Sequence, residues 1–501
     1  MTRALLVVVI AILGVYALFF VFHAVQVASY PLDVDNEEGF ILAQAASWAD
    51  NVSPYRPVQS PPYLVANYPP IYPWILSLPI RFQSLSFAWG RSLSALAMVG
   101  VACLIYGVLW DRTRSMYWSM VGALLFLSFK QVYSWGPLCR VDSLGLLFAV
   151  SGLYLLERRW KAIWPSLLWV LAIFTRQTLL AAPLAGFIFF HRFLGKREKK
   201  AFLYWFVIPV AGFYLLLTIL TGGEFFRHTF LYNVNDYRWE NAWPYQHQLW
   251  RNTGVFVALA FAFMIHTHLR GRNDWIPAYL LLGWLCSLLA GKVGSGENYI
   301  LEFVVGVSLA VPLLCREVTA ILKRESRSLT AFCPALLLMG ALGNFHVSTY
   351  PELPGRLSFF NRRGYDYAWT PQPDEIGDAT LFRQWSEKNI SGRVFSQFAG
   401  WTLLTNHRVE YQPFILNQLA KERRWDYGEL TEPIRQQAFA AIIVEHNRIP
   451  DPDNVGPGTD TFPPEFFTSM FGRYSLVRPP GSFGPGNAWG NVYVPVSSPA
   501  P

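Results

Sequence analysis

Residues 4–29, ALLVVVIAILGVYALFFVFHAVQVAS, form an apolar stretch that contains no Lys, Arg, Asp or Glu. A helix needs about 20 such residues to cross the hydrocarbon core of a bilayer. Ten further apolar blocks follow, at about 86–110, 116–135, 142–156, 162–175, 178–193, 201–220, 254–269, 275–290, 299–314 and 329–346. The pattern predicts an all-α membrane protein, a polytopic helical bundle with about eleven spans.

The composition of the 501 residues agrees with this fold class. Hydrophobic residues make up 53% of the chain and charged residues only 15%, and the mean hydropathy is +0.26. Average soluble chains carry about 25% charged residues. The composition therefore excludes an intrinsically disordered chain and a soluble Rossmann-type enzyme. The five cysteines show no C-x-x-C spacing, and none follows residue 333, which excludes a disulfide scaffold.

Basic residues predict which ends of the spans face the cytoplasm. If the N-terminus is cytoplasmic and the spans alternate, every short basic cluster falls on the cytoplasmic side, as the positive-inside rule requires. The clusters are Arg112/Arg114, Arg158/Arg159/Lys161, Arg192/Lys196/Arg197/Lys199/Lys200, Arg270/Arg272 and Arg316/Lys323/Arg324/Arg327. They also account for the net charge of +8 without a nucleic-acid partner.

The same alternation leaves long segments on the outer side. A transmembrane domain is predicted for residues 1–346, with a first outer loop at 30–85. Residues 347–501 have a soluble composition and are predicted to form a small outward-facing α/β domain. Its predicted helices lie at 382–389 and 434–440, and its predicted strands at 392–398, 441–445 and 491–495.

The first outer loop opens with four carboxylates in six residues, in the sequence Asp33-Val-Asp35-Asn-Glu37-Glu38. Asp35 with Glu38 three residues later is typical of a helix capping box, which gives the pair a local structural role. A carboxylate at the membrane surface can also accept a proton from an acceptor hydroxyl or hold a divalent metal ion. The sequence leaves these three roles open.

Basic residues occur in three different outer turns. Arg140, Arg176 and Lys292 each sit at a span end, where a single basic side chain most often anchors to lipid headgroups. The three basic residues are expected to lie on one face of the bundle, opposite the acidic loop. Together they suit an anionic group such as a lipid-linked phosphate. A further outer loop, residues 221–253, is rich in aromatic and amide side chains. Such residues occur in interfacial belts, and they also stack on and bond to sugar rings.

Five motifs resemble the polytopic GT-C glycosyltransferases. The resemblance is to the bacterial branch similar to protein O-mannosyltransferases and lipid A aminoarabinose transferase, which is glycosyltransferase family 39-like. The motifs are Asp35–Gly39 with Ser53-Pro54-Tyr55, Asn67-Tyr68-Pro69-Pro70, Arg140-Val-Asp142-Ser143-Leu144, Arg176-Gln177-Thr178 and Glu297-Asn298-Tyr299. Related enzymes carry adjacent Asp and Glu in the first motif, whereas an Asn separates Asp35 from Glu37 and Glu38 here.

The resemblance implies transfer of a sugar, with inversion, from a polyprenyl-phosphate donor to an acceptor hydroxyl on the outer face of a bacterial inner membrane. Asp35 is the expected base, with Glu38 as the second choice, and Arg140, Arg176 and Lys292 are expected to bind the donor phosphate. Other polar residues are expected to contact the sugar or the acceptor: Tyr68, Asp142, Asn233, Asn235, Glu297 and Asn298.

The expected partners are the lipid-linked donor, membrane lipid and an acceptor that is a protein, a lipid or a glycan. No cofactor is required by the sequence, although a divalent metal ion is compatible with it. The alternative of another class is a lipid-linked sugar transporter or flippase. Transporters carry charges in mid-span and broken helices in related halves, whereas the charges here cluster at span ends.

Overall fold

A computed structural model describes residues 2–190, 195–326, 328–348, 369–445, 459–484, 489 and 491–496. Over the described residues up to 348, the chain consists mostly of helices. In chain order these are α1 (Thr2–Ser29), α2 (Asn36–Ala49), α3 (Ile71–Ile80), α4 (Phe87–Thr113), α5 (Met116–Ser128), α6 (Lys130–Trp135), α7 (Val141–Glu157), α8 (Ile163–Thr175), α9 (Ala181–Phe189), α10 (Lys196–Phe202), α11 (Ile208–Leu220), α12 (Glu224–Thr229), α13 (Trp239–Leu269), α14 (Ile276–Ser287), α15 (Leu301–Glu325) and α16 (Phe332–Ser348).

Each of the eleven predicted apolar blocks contains helix; the block at 116–135 is divided between α5 and α6, and the end of the block at 178–193 lies outside the described residues. Over the described residues, five helical segments are long and apolar enough to cross a membrane: Arg3–Ser29, Phe87–Thr113, Lys196–Leu220, Trp239–Leu269 and Glu297–Glu325. The remaining apolar helices are shorter. The mostly helical bundle is therefore confirmed, while the number of about eleven crossings stays a prediction.

Helix α15 lies at the centre of the bundle, and α11 lies at its edge. Every residue from Leu301 to Cys315 is buried, and α4, α5, α13 and α14 pack around this segment. By contrast, α11 has no buried residue, and its apolar side chains are exposed, Leu220 by 71%. An apolar helix that leaves its side chains uncovered is suited to contact with lipid.

The tail contains a four-stranded mixed sheet with helices around it. Its elements are α17 (Pro373–Asn389), β1 (Val394–Ser396), α18 (Ala399–Leu404), α19 (Pro413–Lys421), α20 (Gly428–Arg435), β2 (Ala441–Val444), α21 (Pro464–Met470), β3 (Tyr474–Val477) and β4 (Asn491–Pro495). The strand order is β1-β2-β4-β3; β1 and β2 are parallel, and the other pairs are antiparallel.

The predicted tail elements agree with this arrangement in part. The strand at 491–495 is confirmed as β4, and the predicted strands at 392–398 and 441–445 contain β1 and β2. The predicted helix 382–389 is the second half of α17. The helix predicted at 434–440 is displaced, because α20 ends at Arg435 and Gln437 then adopts a positive φ of 53°. The domain boundary predicted at 346–347 falls in the last turn of α16, beside residues outside the described ranges, and stays a prediction.

The tail packs directly on residues 30–85, the segment that was predicted to be the first outer loop. The Asp33 carboxylate accepts backbone N–H bonds from Gly400 at 3.0 Å and Trp401 at 2.8 Å. Gly39 of α2 and Gly400 of α18 approach so closely that a Cβ on Gly39 would lie 2.1 Å from the Gly400 nitrogen. Gly39 therefore has no room for a side chain, and a Cβ on Gly400 would in turn lie 2.2 Å from the Phe87 ring. The tail thereby forms one wall of the space above α2.

Candidate active site

The first turn of α2 is organised by the predicted capping box. Asp35 is the N-cap, and its carboxylate accepts the backbone N–H of Glu37 at 3.2 Å. The Glu38 carboxylate turns back and accepts the N–H groups of Val34 at 3.0 Å and Asp35 at 3.3 Å. These bonds satisfy N–H groups that the helix start would otherwise leave without partners. They also point the Asp35 and Glu38 side chains in different directions.

Glu38 forms a completely buried ion pair with Arg91 of α4. Arg91 Nη2 lies 2.7 Å from Glu38 Oε2, and both side chains are 0% exposed. Glu38 Oε1 also accepts the backbone N–H of Cys139 at 2.6 Å. Burial alone would raise the pKa of Glu38, but the charge and hydrogen bonds of Arg91 bring this pKa below its ordinary value. Glu38, the second choice for the base, thus holds α2 against α4 rather than lining a cavity.

Arg140, the N-cap residue of α7, connects the acidic loop to the bundle. Its Nη1 lies 2.5 Å from Asp35 Oδ1, and its Nη2 donates to the Tyr68 hydroxyl at 3.2 Å. Its guanidinium also stacks on Trp135, 4.9 Å from the ring centroid, and its Nε lies 3.4 Å from Asp142 Oδ2. The acidic and basic motifs, which are 105 residues apart, therefore meet as predicted.

Asp142 and Arg176 form a second layer behind Arg140. Asp142 is ion-paired with Arg176, and its Oδ1 also accepts the side-chain N–H of Asn298 at 2.9 Å. Arg176 donates to the Asn298 carbonyl at 3.3 Å and stacks on Tyr299 at 4.6 Å. Neither Asp142 nor Arg176 lines the cavity that these motifs surround. Their contacts orient Arg140 and Asn298, and both of these residues line the cavity.

The motifs surround a cavity of about 630 Å³ between α2, the turns above α7 and α15, and the tail. This is a typical size for a small-molecule site. Seven of the predicted site residues line it: Asp35, Tyr68, Arg140, Asn233, Asn235, Lys292 and Asn298. The other four, Glu38, Asp142, Arg176 and Glu297, do not.

The loop after α12 closes the cavity on the side of Lys292. Lys292 Nζ donates to the Asn233 carbonyl at 3.0 Å. The Asn233 amide donates to the Asn67 carbonyl at 3.0 Å, and the Asn235 amide donates to the Val293 carbonyl at 2.9 Å. The two amides therefore hold the loop in shape. The Lys292 ammonium has a single hydrogen bond within the described part of the chain, which leaves it capacity for an anionic ligand.

Glu37 is a wall residue of the cavity that the motif analysis did not select. Among the described residues, no hydrogen bond or ion pair is made by its carboxylate, unlike those of Asp35 and Glu38. Burial raises the pKa of Glu37 to about 7; the charge of Arg140 opposes this rise, and that of Asp35 adds to it. A carboxyl group with a pKa near neutrality is suited to proton transfer.

Over the described ranges, no group of three or more His, Cys, Asp or Glu side chains is arranged to hold a metal ion. Asp35 is paired with Arg140. Glu297, which was predicted to contact the sugar or the acceptor, is instead paired with Lys130 of α6, at 3.0 Å.

Comparison with known protein families and with characterised proteins finds no match. Solved structures do match. ArnT from Cupriavidus metallidurans bound to undecaprenyl phosphate has 11% sequence identity and a TM-score of 0.57, with 100% of both chains covered. Apo ArnT from the same organism also has 11% identity, with a TM-score of 0.54 over 86% of this chain and 92% of that one.

A third match is the archaeal oligosaccharyltransferase AglB from Archaeoglobus fulgidus, in complex with an inhibitory peptide and a dolichol-phosphate. Its identity is 11% and its TM-score 0.48, with 100% of this chain and 75% of that one covered. The ArnT likeness extends over the whole chain, tail included. The chain therefore has the fold of ArnT, in agreement with the fold that the resemblance of its motifs implied.

Proposed function

We propose that this protein is a GT-C glycosyltransferase that moves a sugar from a polyprenyl-phosphate donor to an acceptor hydroxyl. The proposal depends on one observation: two carboxylates, Asp35 and Glu37, line the same cavity as two cations, Arg140 and Lys292. Cations suit a phosphate, and a carboxylate suits a reacting hydroxyl. The proposed setting is a bacterial inner membrane, with the N-terminus in the cytoplasm and the cavity outside.

An apolar groove beside the cavity suits the lipid chain of such a donor. The groove has a volume of about 510 Å³ and is lined by residues of α11 with Phe226. Tyr214 of α11 lines both the groove and the cavity. A polyprenyl chain in the groove would enter the bundle from its lipid-facing edge. Its phosphate would then lie near Lys292 and Arg140.

The proposed reaction is an in-line displacement. The acceptor oxygen attacks the anomeric carbon from the face opposite the phosphate, which inverts the configuration. Arg140 and Lys292 stabilise the charge that develops on the leaving phosphate. A carboxylate in the first turn of α2 takes the proton of the hydroxyl. Asp35 is the residue implied by the resemblance, and Glu37 is its neighbour in the same cavity.

Donor binding and donor turnover test this proposal separately. Undecaprenyl phosphate binding to the purified protein is measured by native mass spectrometry. Turnover is measured in proteoliposomes with undecaprenyl-phosphate-linked aminoarabinose, mannose or glucose, each radiolabelled, as release of undecaprenyl phosphate. We expect binding and turnover in the wild type. Lys292→Met should weaken undecaprenyl phosphate binding about tenfold or more, because a hydrogen-bonded charge is lost.

Lys388→Met is the matched control, because it removes the same charge from an exposed position in α17. Its undecaprenyl phosphate affinity should equal that of the wild type. No binding of undecaprenyl phosphate by the wild type would refute the proposal. Binding accompanied by movement of an intact lipid-linked sugar across the bilayer, without turnover, would instead support the transporter or flippase alternative.

A further inference from the structure

A second cavity adjoins the first on the side of the tail. We name it the tail-side cavity; its volume is about 310 Å³. Glu37, Gly294 and Phe414 line both cavities, so the two spaces lie side by side at these residues. Of the two α2 carboxylates that face the first cavity, Glu37 faces both spaces and Asp35 faces only the first. A molecule in the tail-side cavity therefore meets Glu37 before it meets the basic residues.

The tail contributes polar walls to this cavity. Gln397 follows β1, and Asp460 and Thr461 precede α21. The Gln397 amide is oriented by the backbone, since its Oε1 accepts the N–H of Glu445 at 3.3 Å. Asp460 is half exposed, with its side chain 46% accessible, and marks the outer rim. Aromatic and hydrogen-bonding groups on a small, partly closed surface are typical of sites for small polar ligands.

Two polar groups at the inner end have no partner. The side-chain oxygen of Asn36 is buried and, over the described residues, accepts no hydrogen bond. The partly exposed Glu37 carboxylate next to it accepts no hydrogen bond within the same ranges and opens on the cavity. A buried acceptor without a donor is unfavourable by about 1–3 kcal/mol, so the Asn36 oxygen favours a ligand that donates a hydrogen bond, and the Glu37 carboxylate can accept a second one.

The chemistry of the walls specifies the kind of ligand. Carboxylates only accept hydrogen bonds, whereas amides both donate and accept. The Glu37 carboxylate disfavours an anionic group beside it. The charge of Asp460 is balanced by Arg238 at 3.8 Å and Lys421 at 3.7 Å, so Asp460 serves here as a hydrogen-bond acceptor. The rings of Phe40 and Phe414 offer apolar faces. A neutral molecule with several hydroxyl groups and one apolar ring face satisfies all of these groups, and a saccharide has that form.

We propose that the tail-side cavity is the acceptor site and that the acceptor is a saccharide; this inference rests on the proposed function. Glu37 takes the proton from the reacting hydroxyl of the saccharide. The O–H proton moves to the Glu37 carboxylate while the hydroxyl oxygen bonds to the anomeric carbon of the donor. The bond between that carbon and the donor phosphate oxygen breaks. Its electron pair stays on the phosphate, so the products are a glycosylated saccharide and polyprenyl phosphate.

Ligand protection of a cysteine at the rim tests the site. In the full-length protein, Asp460→Cys is labelled with a fluorescent maleimide, and the unsubstituted protein corrects for its native cysteines. The probes are methyl hexopyranosides and, separately, an N-acetylated serine peptide amide. At ten times its Kd, a glycoside fills about 90% of the sites, so labelling should slow about tenfold. Glu432→Cys, 54% exposed and away from the cavity, should label at an unchanged rate.

Every outcome bears on the proposal. Protection by a glycoside, but not by the peptide, supports a saccharide acceptor. Protection by the peptide alone, or by neither probe, overturns it. The result is independent of donor turnover: a protein that shows glycoside protection but never releases undecaprenyl phosphate refutes the proposed glycosyl transfer alone. A protein that releases it without any protection refutes the acceptor site alone.

Discussion

Two Arg–carboxylate pairs from the same acidic loop have opposite surroundings. In the Arg91–Glu38 pair both side chains are 0% exposed, and Arg91 also donates to the carbonyls of Val27, Tyr30 and Leu32. In the Arg140–Asp35 pair, the Asp35 side chain is 30% exposed and both residues line a cavity. The two carboxylates are only three residues apart in the chain.

The difference shows how one capping box serves two purposes. Glu38 lies at the third helical position and faces the bundle, where every oxygen has donors. Asp35 lies at the N-cap and faces the cavity, where its partner Arg140 is shared with Tyr68 and remains open to a ligand. A closed pair of this kind fixes structure, whereas an open pair can exchange partners. Substitutions in the two pairs should therefore have different consequences.

The largest expected effect is on folding, in the closed pair. Glu38→Gln leaves the Arg91 charge buried without its partner, which should lower the free energy of unfolding by about 3–5 kcal/mol. The measurement is denaturant unfolding in detergent micelles, followed by tryptophan fluorescence. Glu325→Gln, the same change at an exposed position in α15, is the control and should leave the unfolding curve unaltered. If Glu38→Gln is as stable as this control, the pair is not structural.

The next effect is on activity, in the open pair. Asp35→Asn retains a good N-cap, so the free energy of unfolding should fall by less than about 1 kcal/mol. Sugar transfer should fall about 10²-fold or more, because the cavity loses a carboxylate and Arg140 loses the nearer of its two ionic partners. Initial rates of undecaprenyl phosphate release measure this loss. Asp374→Asn, at an exposed position in α17, is the control; equal rates in the two variants would contradict the functional role of Asp35.

Local spacing explains what could be predicted from the sequence. The capping box depends on residues three apart, and the bundle depends on apolar blocks that are continuous in the chain. The meeting of Asp35 with Arg140 was predicted because both lie in turns on one side of the bundle. In each case a short-range pattern, or the alternation of spans, determines the outcome.

Long-range contacts explain what could not be predicted. Arg91 lies inside an apolar block, and a charge there indicates a buried partner without identifying it. Its partner Glu38 is 53 residues away. The contact of Asp33 with Trp401 spans 368 residues, so the tail-side cavity has no local signature. Glu37 was part of the quoted motif, but only the tertiary structure distinguishes its carboxylate, which has no hydrogen-bond or ion-pair partner among the described residues, from those of Asp35 and Glu38, which are paired.

The smallest expected effect is a pH dependence that distinguishes Glu37 from its neighbours. Burial raises the pKa of Glu37 to about 7, and the charges of Arg140 and Asp35 act on it directly. The other charged or titratable side chains that line the two cavities with it are Lys292, Tyr68, Tyr214, Tyr245, Tyr299 and Asp460. A base must be ionised, so kcat/KM for sugar transfer should fall about tenfold per pH unit below pH 7 and level off above it. Glu37→Gln should remove this limb together with most of the rate.

Burial also raises the pKa of Asp33 to about 7, so Asp33 could give the same limb. The Asp33 carboxylate, however, bonds to the backbone of α18 and lines neither cavity. Asp33→Asn should therefore lower stability while the acidic limb of kcat/KM stays near pH 7. If Asp33→Asn loses the acidic limb of kcat/KM and Glu37→Gln keeps it, the pH dependence arises from the contact between Asp33 and the tail, and Glu37 is not the base.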